Sequence, residues 1–382
     1  MRAMIPSARL APRGAPHAVG ASAWCAVVLG AFVVLCPRSA QAFAIGSTVS
    51  EACHERITLD ALEAAPPFDL TPVDVPDAAW WRLAGHYART LDAAREPTSG
   101  AARLVLTTAV LGVRSPDLGE LGLVHIHNLR EIHLLDERQV NHFLRRNDQD
   151  GDEGGAAAIA DGRAHILALI EASARAYDAD PRARLLSEIT VYVERYGQVG
   201  IDVWRPLFLL AQALHALQDS FTHTYRSDDA RRILVIQNYV EAVTPRHDEA
   251  RDGPRHSDTL DDCRLPEVAP LAAAATQAST ELVGAVQRYW LDRDLAPVEA
   301  ALDRWTSVDP DCGAASDYCG SRWPALARTA ETGPLLGCAA ASGGRSPRAP
   351  FAALSLACSA LAARRRLASR GGRARAVVSI VG

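Results

Sequence analysis

The stretch Pro206-Leu-Phe-Leu-Leu-Ala-Gln-Ala-Leu-His215-Ala-Leu-Gln-Asp219-Ser-Phe-Thr-His223-Thr224 decides the fold class. Leu207, Leu210, Ala211, Leu214, Leu217 and Phe221 recur at three- and four-residue steps. On a helix of about 3.6 residues per turn they form one stripe, and Pro206 suits the first turn. His215, Asp219 and His223 follow one another at four-residue steps, about 40° apart around the axis, so they share a face. An imidazole, a carboxylate and a second imidazole therefore converge beside an apolar stripe, where an unpaired charge is costly and a metal ion would offset the cost. The plainer alternative is a pair of core or surface histidines with Asp219 as their hydrogen-bond partner.

Outward from this segment, apolar residues keep helical spacing from Cys53 to about Trp305, and long alternating runs are scarce. The spacing predicts an all-α, multi-helix domain. Helices are expected over 51–64, 101–112, 120–145, 155–177, 181–197, 206–224, 229–243, 266–291 and 295–306. The segment Asn147-Asp148-Gln149-Asp150-Gly151-Asp152-Glu153-Gly154-Gly155 lacks the Gly and distal Glu positions of a helix-loop-helix calcium site and reads as a solvated acidic connection.

The ends read differently. Arg2, Arg9 and Arg13 precede an apolar run from Ala21 to Cys36, and Ala40-Gln41-Ala42 places small residues where a signal peptidase cuts. Residues 1–42 are thus expected to be a signal peptide, with Phe43 as the first residue of a secreted or cell-surface chain. Residues 43–306 would form the helical domain and 307–348 a linker rich in Cys, Gly and Pro. In 349–382 a short apolar segment runs into Arg364-Arg365-Arg366. That order, with Cys338 before it, resembles the myxobacterial-type C-terminal sorting signal, which implies a sorting protease as a partner.

The chain has 382 residues and a formal net charge of −5, every basic residue being Arg. No strong positive field is present, so a stable nucleic-acid complex is not expected. Cys53, Cys263, Cys312 and Cys319 are an even number in a presumed exported domain, which makes one or two disulfides plausible. No cysteine spacing suits a thiolate zinc site, so a zinc here would need His and carboxylate ligands.

Four further segments complete a pattern. They are Ser50-Glu-Ala-Cys-His54, Ser115-Pro116-Asp117, Asn141-His142-Phe143 and His256-Ser-Asp258-Thr-Leu-Asp261-Asp262. Taken in order with His215 and Asp219, they resemble the superfamily of zinc-dependent phospholipases C and fungal single-strand nucleases, over roughly residues 43–265. The resemblance implies that the amine and carbonyl of Phe43 chelate zinc together with His54. It also implies that Asp117, with Glu120 as fallback, bridges two metals, and that His142, His215 and Asp219 are ligands. The family has Trp at the terminus, and its His after the His-x-x-x-Asp helix lies two positions beyond His223. His223 is therefore a displaced candidate. The family ends on a His followed four residues later by Glu. Here His256 with Asp261 or Asp262 stands in for that pair, with His247 and Glu249 as competitors. His125, His127 and His133 read as solvent-facing or capping residues, and His86 and His165 lack companions.

What the resemblance implies is two or three Zn2+ ions gathered in one concave site. A bridging water with its pKa lowered towards ~7 would supply hydroxide for attack on phosphorus, with Asp117 the catalytic carboxylate. The expected substrate is a phospholipid or another phosphodiester, with Trp80-Trp81 as possible aromatic surface. A different class competes: a secreted or surface binding protein on the same scaffold, with a structural zinc or none.

Overall fold

The computed structural model describes residues 53–68, 100–121, 133–179, 186–193, 197–239 and 247–329, all of which fall in one compact unit, Arg38–Gly333. The expected signal peptide, Phe43, Trp80-Trp81, His86, His125, His127 and the C-terminal sorting tail lie outside the described residues. No helix among the described residues is long and apolar enough to cross a membrane.

The described chain is mostly helical. Its centre is α4 (Arg205–Thr222), where every position from Pro206 to Thr222 except Gln212 is buried. Such a helix can exist only if others wrap it. Those others are α2 (Gly100–Leu118), α3 (Gly151–Ala179) and α7 (Ala269–Asp292), with α1 (Cys53–Ala64) bridging α7 and α2. His215, Gln218 and Asp219 thus reach the interior through the same burial that builds the core.

Gly112 sets how closely α2 and α4 approach. A Cβ there would lie 2.6 Å from both Ala211 Cβ and the Phe208 carbonyl oxygen. Asp117 follows in the last turn of the same helix, so this contact brings the Asp117 end of α2 against the His215 face of α4.

Several expected helices are corrected. Within 186–204 two strands pair antiparallel, β1 (Leu186–Val193) with β2 (Gly197–Trp204), Ile189 opposite Ile201 and Val191 opposite Val199. The expected helix over 181–197 misreads this period-two run of β-branched residues. The expected helix over 229–243 contains instead β4 (Ile233–Ile236), which pairs with β3 (Thr224–Arg226) directly after α4. Of the helix expected over 120–145, residues 122–132 lie outside the described residues, and the described residues include a 3-10 segment, Asp136–His142, ended by Phe143 at φ 50°. The longer helices at 51–64, 101–112, 155–177, 206–224, 266–291 and 295–306 are present, the last as α8 (Ala296–Trp305).

Short elements finish the fold: α5 (Glu249–Asp252), α6 (Asp258–Asp261) and α9 (Trp323–Thr329). Trp323 is fully buried in the hydrophobic core, so regular packed structure continues beyond residue 306. Two disulfides are formed, Cys53–Cys263 and Cys312–Cys319.

Candidate metal centre

Three chain segments meet at one end of α4. Asn238 makes parallel bridges to Arg145 on one side and Arg255 on the other. Arg145 N donates to Gln237 O at 3.1 Å, and His256 N donates to Asn238 O at 3.1 Å. This short ladder carries His142, Tyr239 and His256 to a common edge. His223 joins it as the C-terminal cap of α4, its N–H donating to Asp219 O at 2.8 Å. Behind it the buried Arg226 guanidinium donates to Ser220 O near the end of α4, to Ala230 O and to Trp305 O, tying three segments together.

The arrangement converges on Asp219, which is fully buried. His54 Nε2 lies 3.0 Å from Asp219 Oδ1, and His215 Nε2 lies 3.0 Å from Oδ2. His142 Nδ1 is 3.1 Å from the same Oδ2 and 3.2 Å from His215 Nε2. Asp117 Oδ1 stands 3.7 Å from His142 Nδ1, and its Oδ2 is 3.9 Å from His215 Nδ1. The imidazoles of His54 and His215 stack at 4.2 Å. At the outer end, His223 Nε2 faces Asp261 Oδ1 at 3.7 Å, and His256 Nε2 is 3.2 Å from Asp261 Oδ2.

Four groups of three side chains bring ligand atoms within 4.8 Å of one another: His54–Asp117–His215, His142–His215–Asp219, Asp117–His133–His142 and His223–His256–Asp261. The residues fit a metal ion on two counts. First, the ring nitrogen facing away from the cluster is tied to a carbonyl in three histidines. His54 Nδ1 donates to Gln218 Oε1 at 2.7 Å, His215 Nδ1 to Val113 O at 2.8 Å, and His223 Nδ1 to His142 O. Each bond leaves Nε2 with its lone pair turned towards carboxylate oxygens, and outer hydrogen bonds of this kind orient metal-binding imidazoles. Second, both carboxylate oxygens of Asp117 and of Asp261, with Nε2 of His142 and of His223, are buried and make no hydrogen bond. Unsatisfied buried polar atoms are rare, and an ion is a standard explanation. These buried His/Asp clusters could hold a metal ion.

Without an ion, protons take up the strain. Burial would lower His54, but the Asp219 carboxylate raises it to about 9. Burial opposes His256 in the same way, yet Asp261 and Asp258 raise it to about 10. Burial lifts Asp261 to about 7 against the pull of His256, while Asp219, though buried, is held well below the usual carboxylate range by His215, His223 and His54. Burial pushes His133 down to about 4 and His223 well below its ordinary value. Such opposed shifts within one cluster are characteristic of functional sites.

The cluster opens on a small cavity of about 20 Å3 lined by Asp117, His133, His142, Leu144, His223, Tyr239 and His256. The structure therefore brings together His54, Asp117, His142, His215, Asp219, His223 and His256. Of the alternatives left open by the sequence, Asp261 and not Asp262 faces His256; Asp262 pairs with Arg264 at 2.6 Å. His247 lies elsewhere, its Nε2 on Gly253 O, and Glu249 accepts from the Tyr318 hydroxyl. Glu120 is exposed. Asp117 sits in the last turn of α2 and caps no helix start. His133, read as solvent-facing or capping, is not solvent-facing: it lies against Asp117 and His142, and its ring nitrogen meets the Asp117 carbonyl oxygen at the C-terminal end of α2. Its nine-residue distance from His142 matches no α-helical step; the break at 134–135 before the 3-10 segment Asp136–His142 unites them.

Comparison with family models, with curated proteins and with solved structures yields no match.

Proposed function

We propose that this protein is a secreted, zinc-dependent phosphodiester hydrolase of the phospholipase C-like kind. The observation that carries the reading is the convergence on Asp219 and Asp261 of buried imidazoles whose outer nitrogens are tied to carbonyls, beside an open cavity. Mixed imidazole and carboxylate donors suit zinc. Two to three ions are accommodated by the groups, Asp219 being shared by His54, His142 and His215. The amine of Phe43 would complete the His54 corner.

Bound there, zinc would supply charge stabilisation for a phosphoryl group and a water of lowered pKa. The residues do the rest. Asp117, with both oxygens free of hydrogen bonds and on the cavity wall, orients the attacking water. His54, His215 and Asp219 anchor the interior. His223 and His256 also line the opening, with Asp261 as the third ligand of their group. A phospholipid ranks first among phosphodiesters because the net charge of −5 offers no attraction to a polyanionic chain.

A second reading has its own support. Every residue of the groups His54–Asp117–His215 and His142–His215–Asp219 is buried, as suits ions that only stabilise a binding protein. The deciding experiment is plasma mass spectrometry and phosphodiesterase assay on the full chain and on His215→Ala. The hydrolase reading expects two or three zincs per chain and activity on a simple diester, with His215→Ala losing at least one zinc and about 1000-fold or more in rate. Zinc retained alongside full activity in His215→Ala would sink it; zinc without any hydrolysis would favour the binding protein.

A further inference from the structure

His133 stands outside the ligand set that the sequence resemblance implies, yet it is the sixth imidazole of the cluster. One ligand atom from each of Asp117, His133 and His142 lies within 4.8 Å of the others. The rings of His133 and His142 meet edge to face at 5.0 Å, and His133 and Asp117 both line the opening. Its backbone is pinned: Gln139 Nε2 donates to His133 O at 2.7 Å and to Leu135 O at 3.1 Å. The ring is pinned as well, since Nε2 donates to the Asp117 carbonyl oxygen at 3.1 Å. The same Nε2 stands 3.8 Å from Asp117 Oδ1, so the carbonyl bond holds the ring against the Asp117 carboxylate. His142 Nε2 and both oxygens of Asp117 are buried without hydrogen bonds beside it.

Resting on the metal reading above, we propose that His133 is an additional ligand at the mouth of the site. With Asp117 and His142 it binds a divalent first-row transition ion, zinc by its donor set. The consequence is that two groups border the opening: Asp117, His133 and His142 line it, as do His223 and His256 of the group completed by Asp261. The groups that include His54 and Asp219 lie deeper. The mouth position exchanges with solvent first, because His133 is its least buried member at 14 % side-chain exposure, against 3 % for Asp117 and 5 % for His142.

The test compares the full chain with His133→Ala and His133→Cys, loaded with Zn2+ or with Co2+ and challenged by a graded chelator. The expected result for His133→Ala is that one metal equivalent is lost, or held at least about 100-fold more weakly, while the remaining equivalents and the helical circular dichroism stay as in the parent. The expected result for His133→Cys is a thiolate-to-cobalt charge-transfer band, which a residue that merely packs against Asp117 would not produce. Because a thiolate is itself a ligand, this variant reports even if the alanine variant folds poorly. Unchanged stoichiometry and affinity in His133→Ala, with no charge-transfer band in His133→Cys, would overturn the proposal while leaving the metal reading intact. A parent chain that binds no metal would overturn both. Metal binding with loss at His133 but no phosphodiesterase activity would support the ligand and count against the hydrolase.

Discussion

Gln218 shows how much a single side chain can decide. It is fully buried on α4, and its amide nitrogen donates to Thr58 Oγ1 at 2.9 Å and Ser279 Oγ at 3.3 Å. With both donors engaged, only Oε1 is left for His54, and it accepts from Nδ1 at 2.7 Å. The tautomer of His54 is thereby fixed, with the lone pair of Nε2 aimed at Asp219. Gln218→Leu should lower metal affinity by about 10–100-fold through lost orientation. It should also cost about 1–3 kcal/mol from the polar partners left unpaired. Gln218→Glu keeps an acceptor for His54 and should recover most of the affinity. Chelator competition and thermal melts on both variants check this; equal affinities in the leucine and glutamate variants would remove Gln218 from the site. Residue-level signals were partly legible in sequence. His215 and Asp219 stood out because helical spacing alone makes them neighbours. Asp261 was named only beside Asp262, because a five-position step from His256 is no helical repeat; what selects it is the turn of α6 that follows Ser257.

At the scale of elements, α2 and α4 must meet at a glycine. Gly112→Ala places a methyl group 2.6 Å from the Phe208 carbonyl, closer than packed atoms tolerate. The helices must then part, at a cost of about 1–3 kcal/mol. Since Asp117 rides on α2 and His215 on α4, the separation is felt at their 3.9 Å approach. Gly112→Ala should therefore lower the melting temperature by several degrees and weaken metal binding together. A lowered melting temperature with metal affinity untouched would mean that the two helix ends do not report on each other. The long helices were legible because each buries a stripe several turns long. The strand pair within 186–204 was not, since its period-two pattern lies in a short run next to Trp204 and α4, where helical apolar spacing resumes. The β4 segment Ile233–Ile236 was lost for a related reason: four apolar residues in a row carry no period.

At the scale of the whole molecule, stability and metal binding are tied through protons. In the metal-free chain His54 titrates at about 9 and His256 at about 10, against 6.5 for a free imidazole. Each therefore binds a proton more tightly folded than unfolded. Its contribution is fully present below pH 6.5 and is lost as pH rises through the folded value. Below pH 7 other groups intervene: Asp261 at about 7 loses stability as pH rises from its unfolded value near 3.8, and His133 at about 4 loses it as pH falls below 6.5. Between pH 7 and 9 those two no longer differ in protonation between the folded and unfolded chain, and the two raised histidines dominate. The chelator-treated protein should thus become less stable from pH 7 to 9, by about 2–3 kcal/mol per pH unit for the two groups together. Coordination reverses the sign, because an imidazole must shed its proton to bind a metal and the binding energy is folding energy. The zinc-loaded protein should hold its melting temperature over the same interval, so the gap between the two forms widens with pH. The Cys53–Cys263 disulfide joins residues 210 apart, next to His54 and two positions beyond Asp261. It restrains the metal-free chain at both edges of the cluster, which makes the comparison one between two folded forms. Melting curves that run parallel from pH 7 to 9, with and without zinc, would mean that His54 and His256 give up no protons to a metal, and would take both out of the ligand set.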